Sequence, residues 1–154
     1  MPQPDEQQFL RAVFPDRPDV VGFLNLLFKT TQVIDDLVDK DRPVDDDTIF
    51  RSFWTCLFEL PLNSFYRENE IYLRPILAAG FQDWWDSVKL ERSGDHHGKT
   101  IAFVLRDSLT GVVIQCAYIV GGYDYMQTVS EKIRRHAYEE TLDQYLEDLT
   151  GDQP

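Results

Sequence analysis

The chain has 154 residues, 43% hydrophobic and 13% aromatic, enough apolar material for one packed core; this excludes disordered, collagen-like and low-complexity classes. Its 27 acids against 15 Lys and Arg give a net charge of −12, which argues against electrostatic binding to nucleic acid or anionic lipid. Two cysteines, Cys56 and Cys116, are too few for a disulfide framework or a four-Cys zinc site and read as reduced core residues of a cytoplasmic protein.

Residues 1–8 are polar and acidic, so they lack the pattern of a secretory signal. The most apolar stretch, around 101–120, carries Arg106 and Asp107, so no uncharged run of membrane-spanning length is expected. Long segments of helical periodicity end at Pro, Gly or acidic turns, and strand signals are weak. The reading is a single all-α domain, 1–154, built as a bundle of about six helices. The first covers 5–13 and stops before Pro15. The second covers 18–40, with Val20, Val21, Leu24, Leu27, Phe28, Ile34, Leu37 and Val38 on one buried face. Asp45, Asp46 and Asp47 offer a cap and an acidic first turn to a third helix, 47–60, stopped near Pro61. A fourth runs from Asn63 or Ser64 to about Glu91 and is kinked or split at Pro75. Residues 93–98 read as a loop. The fifth helix, 100–120, is apolar on most sides and ends at Gly121-Gly122; the sixth covers 125–149.

Chemistry concentrates in three places. Asp35, Asp36 and Asp39 lie at the C-terminal end of the second helix, and the i, i+4 spacing stacks Asp35 over Asp39. Carboxylates at the negative end of a helix dipole repel one another unless a cation sits between them, and Mg²⁺ is the hard cation such oxygens suit. Glu139, Glu140 and Asp143 form a second acidic set at helical spacing. Lys99 and Arg106 enter an otherwise apolar helix and could hold phosphate oxygens. Arg106 could equally pair with an acid on a neighbouring helix. Adjacent helical residues point about 100° apart, so Arg106 and Asp107 are not expected to pair with each other. His96-His97 reads as a bland loop pair, and Trp84-Trp85 with Phe81 as core or an oligomer face.

In order, Asp35-Asp36-Leu37-Val38-Asp39, Lys99-Thr100 and Glu139-Glu140-Thr141-Leu142-Asp143 resemble the motifs of the isoprenoid synthases, particularly the trans-prenyl diphosphate synthases. The resemblance implies an all-α fold whose two acidic helices face each other and hold Mg²⁺ ions that grip a substrate diphosphate. This chain is far shorter than that family's helical core. Arg42-Pro43 stands where the family has a basic pair, and Glu replaces both leading Asp residues of the second motif.

Two functions of different kinds follow. One is a Mg²⁺-dependent transferase or pyrophosphatase acting on a diphosphate ligand, with Asp35, Asp36, Asp39, Glu139, Glu140 and Asp143 at metal and Lys99 and Arg106 at phosphate. The other is a non-catalytic accessory protein that binds a protein partner. A half-sized bundle with exposed Trp and Phe would be completed by a two-fold homodimer.

Overall fold

The computed structural model describes residues 5–151, which form helices and their connections with no strand among them, so the all-α expectation is borne out. The helices are α1 (Glu6–Val13), α2 (Pro18–Asp39), α3 (Asp46–Trp54), α4 (Leu60–Leu62), α5 (Ser64–Ser93), α6 (His96–Leu105), α7 (Thr110–Ala137) and α8 (Leu142–Gly151). A π-helical stretch, Thr55–Glu59, joins α3 to α4. The chain divides between Ile71 and Tyr72 into two compact units.

In the first unit, Pro18 opens α2 with a preset φ and no N–H to satisfy. Arg17 locks that start by donating from Nε and Nη2 to the Asp19 carboxylate at 2.9 and 2.8 Å. The apolar stripe of α2 is buried over Val20, Val21, Phe23, Leu24 and Leu27, together with Leu10, Val13 and Phe14 from α1 and its end. Phe23 also meets Phe65 and Tyr66 at the start of α5, with ring centroids 5.9 and 5.5 Å apart. Asn63 caps α5 by accepting from the Tyr66 N–H and ties it to α2 by donating to Asp19 O. The expected burial fades towards the C-terminus of α2: Ile34 and Val38 are half-buried and Leu37 is exposed.

Asp45 caps α3 by accepting from the Thr48 N–H at 2.7 Å, and Asp46 and Asp47 fill the acidic first turn, as expected from the sequence. The helical run ends at Leu62, beside Pro61 as expected, but its middle is π-helical where Pro61 is approached. The Leu60 N–H reaches back to Thr55 O, a five-residue step, and this wider turn accommodates a residue that has no N–H and crowds the turn before it. Cys56, expected in the core, is exposed on this stretch; Cys116 is buried.

In the second unit, α5 continues through Pro75 rather than splitting there, because Pro75 lies on the exposed side, where water can reach the carbonyl it leaves unpaired. The expected loop over 93–98 is shorter. Asp95 caps α6 by accepting from the Gly98 N–H at 2.7 Å, and Ser93 Oγ donates to the other carboxylate oxygen. Gly98 is needed here, since a Cβ would stand 2.9 Å from Asp95 Oδ2.

The expected fifth helix is two helices. Between α6 and α7 the chain tightens into three-residue steps, Ser108 N–H to Leu105 O and Thr110 N–H to Asp107 O, both at 3.0 Å. Helix α7 is broken at Gly122, with φ 80° and ψ −173°, a conformation essentially limited to glycine. The expected sixth helix is also divided. The Gln144 N–H donates to Thr141 Oγ1, and Gln144 Oε1 accepts from the Thr141 N–H, a capping box that starts α8. An 18-residue window within 96–151 has a mean hydropathy of 1.4, enough by length and composition to cross a membrane. The unbroken helix over 110–121, however, is only about 18 Å long, against about 30 Å of hydrocarbon.

Candidate functional site

Asp35, Asp36 and Asp39 occupy the last turns of α2, as the spacing predicts, with Asp35 and Asp36 half-buried and Asp39 exposed. Gln32 Nε2 donates to Asp36 Oδ1 at 2.9 Å. Lys40 ends the helix in the left-handed conformation, its N–H on Asp36 O at 3.0 Å. No basic residue lies within the last turn of α2, where the helix dipole is negative.

The second acidic set is not arranged as expected. Glu139 and Glu140 lie in the connection after α7 and only Asp143 lies on α8, so no single helix stacks them. Arg106, expected at a phosphate or an ion pair, is in an ion pair. Its Nη2 donates to Glu140 Oε2 at 2.5 Å, and its Nε lies 3.4 Å from Asp107 Oδ2. Pairing with Asp107, excluded by helical geometry, becomes available because the helix ends at Leu105 and the tight turn redirects both side chains. The guanidinium also lies 5.0 Å from the Phe103 ring centroid and 4.7 Å from that of Tyr145. Burial opposes its charge, but the Glu140 hydrogen bond and the nearby carboxylates prevail, so its pKa lies above the ordinary value. Arg106 therefore clamps α6, the connection and α8 together. Lys99 lies half-buried in the first turn of α6.

A feature not singled out from the sequence lies on α3 and the π-helical stretch. Helix α3 itself buries no residue. Thr55 is buried and Ile49, Ser52, Glu59 and Leu60 are half-buried, so the side that faces inward carries most of the polar groups and none of the aromatic ones. Thr55 Oγ1 donates to Glu59 Oε2, and Arg51 Nη2 to Glu59 Oε1, both at 2.8 Å. Although Cys56 is largely exposed, its thiol lies against Thr30 of α2; partial desolvation raises the thiol pKa and the Thr30 contact partly opposes the rise. The outward side carries Phe50 (69% exposed), Phe53, Trp54, Leu57 (63%) and Phe58, continued by Leu62. At about 200 Å² per large side chain, their exposed fractions leave about 700 Å² of apolar surface uncovered. Monomers rarely expose so large an apolar patch without a use for it. The missed signal was the i, i+3, i+4 recurrence from Phe50 to Phe58, which marks an apolar face without saying which way it turns. The first unit also has an open groove of about 480 Å³ lined by Arg11, Phe14, Arg17 and Val21, where Arg17 is already engaged by Asp19.

No protein-family model, curated protein or solved structure matches the chain.

Tyr145 is buried within the clamp and its hydroxyl donates to Glu91 Oε2 at 2.6 Å. Burial first, then the Glu91 hydrogen bond, raise its pKa above the ordinary phenol value. The neutral phenol is thus favoured in the folded state, and its contribution is complete below the unfolded pKa of about 10 and is lost as pH rises beyond it. Tyr145→Phe is expected to flatten the decline in stability above about pH 10, measured by urea unfolding at stepped pH. An unchanged alkaline limb would contradict the assignment.

Proposed function

We propose that this chain is a non-catalytic helical interaction protein that binds a protein partner through the outward apolar side of α3 and the π-helical stretch. The observation that carries this reading is the inversion of that element, polar side in and aromatic side out. Apolar anchors spaced at i, i+3, i+4 and i+7 on one helix face, Phe50, Phe53, Trp54 and Leu57, suit insertion into an apolar groove, and interfaces are enriched in Phe, Trp and Tyr. The net charge of −12 directs the reading to protein and away from nucleic acid. The engagement of Arg106 by Glu140 favours it too, because one expected phosphate ligand and one expected metal ligand are used on each other.

If the aromatic side serves docking rather than folding, Phe53→Ser and Phe58→Ser measured in dilute solution will change unfolding free energy by less than about 1 kcal/mol. They will also reduce binding of an apolar fluorescent dye. A loss of about 3–5 kcal/mol, the usual cost of truncating a core aromatic, would contradict the reading.

A second reading keeps Asp35, Asp36 and Asp39 as a Mg²⁺ site for a diphosphate in a reduced isoprenoid-synthase relative. What supports it is their grouping within two turns at the end of one helix. It predicts a rise in the unfolding midpoint that needs Mg²⁺ and pyrophosphate together and disappears in Asp35→Asn. No shift under either condition would remove it.

A further inference from the structure

We infer that the occupant of the α3 face is a second copy of this chain, paired antiparallel about a two-fold axis; this rests on the docking reading above. Three observations lead there. The first is size. The stripe alone exposes about 700 Å² of apolar surface, close to the roughly 800 Å² per partner of a standard interface.

The second is shape. Phe50, Trp54, Phe58 and Leu62 form one row at four-residue spacing, and Phe53 and Leu57 form another beside it. In a regular α-helix such rows drift around the axis. The π-helical stretch Thr55–Glu59 takes more residues per turn and corrects that drift, so both rows stay on one side down to Leu62. Trp54 and Phe58 already meet within their row, with ring centroids 4.7 Å apart and planes tilted by 57°. Two such ridges with a groove between them complement a copy of themselves, the commonest way helices pack. An isologous contact requires this self-complementarity.

The third is charge. Asp45, Asp46 and Asp47 are all exposed and crowd one end of the stripe, whereas the other end, Leu60–Leu62, is uncharged. Parallel pairing would bring six carboxylates together. Antiparallel pairing separates the two acidic ends by about 24 Å, beyond the screening length of about 8 Å at physiological salt. The stripe centre carries no acid, so the negative net charge does not oppose contact there.

The test is the mass of the intact chain by light scattering after size exclusion, for wild type, Leu57→Asp, Phe50→Glu and Ile71→Asp. Wild type is expected at twice the chain mass at about ten micromolar, a concentration at which interfaces of this size are commonly occupied. Leu57→Asp and Phe50→Glu are expected at the single mass with unchanged helical circular dichroism. Ile71→Asp, exposed but outside the stripe, is expected to stay dimeric. A dimer that survives Leu57→Asp and Phe50→Glu overturns the inference by placing the contact elsewhere. A monomeric wild type whose Ser variants stay stable overturns the second copy as occupant and leaves the docking reading standing. A monomeric wild type whose Ser variants unfold overturns both.

Discussion

The polarity of the C-terminal half of α2 is the constraint on which the first unit depends. Over its N-terminal half, α2 presents Val20, Phe23, Leu24 and Leu27, and these are covered by α1 and the start of α5. Beyond Leu27 the helix mixes Thr30, Thr31, Gln32, Asp35 and Asp36 with the half-buried Phe28, Val33, Ile34 and Val38. Thr30 and Thr31 spend their hydroxyls on Leu26 O and Phe28 O, and Gln32 binds Asp36. A helix laid on such a mixed surface gains less by turning its aromatic side inward, since buried polar groups must be paired. Helix α3 and the π-helical stretch therefore set Ser52, Thr55 and Glu59 inward, and the aromatic side is left for something outside the unit. Apolar surface left in water forgoes about 25 cal/mol per Å², so a partner for that side brings a large gain.

The second unit is organised by a different interaction. Arg106 emerges where the α6–α7 turn tightens, and its guanidinium is held by Glu140, by Asp107 and against the rings of Phe103 and Tyr145. Phe103 also meets Tyr138 and Tyr145 at tilted angles, and the Tyr138 hydroxyl donates to Val104 O. A charged centre ringed by aromatics fixes the path of the chain after α7. It also uses the cation and the carboxylate that a phosphate or metal site would need free.

Much of the fold was legible because caps and breakers act locally. Pro18 opening α2, Asp45 capping α3 and Gly122 breaking α7 are decided by groups within a few residues of one another. The division of the last helix was written as a capping box at Thr141 and Gln144, but the amphipathic period running through it concealed the break. Arg106 was ambiguous for a different reason. Its partner depends on a turn that redirects the side chain, and periodicity assumes the helix continues. Least legible was the direction of the α3 stripe. Spacing identifies an apolar face, but only the polarity of the neighbouring helix decides whether it turns in or out.

The most direct test is the accessibility of Trp54. With Trp84→Phe and Trp85→Phe, Trp54 becomes the only tryptophan, and quenching of its fluorescence by acrylamide can be followed as the chain is concentrated. The account predicts strong quenching in dilute solution and progressive protection as concentration rises. Trp54 shielded at every concentration, with no dependence on dilution, would mean the aromatic side lies inside the fold and would contradict the account.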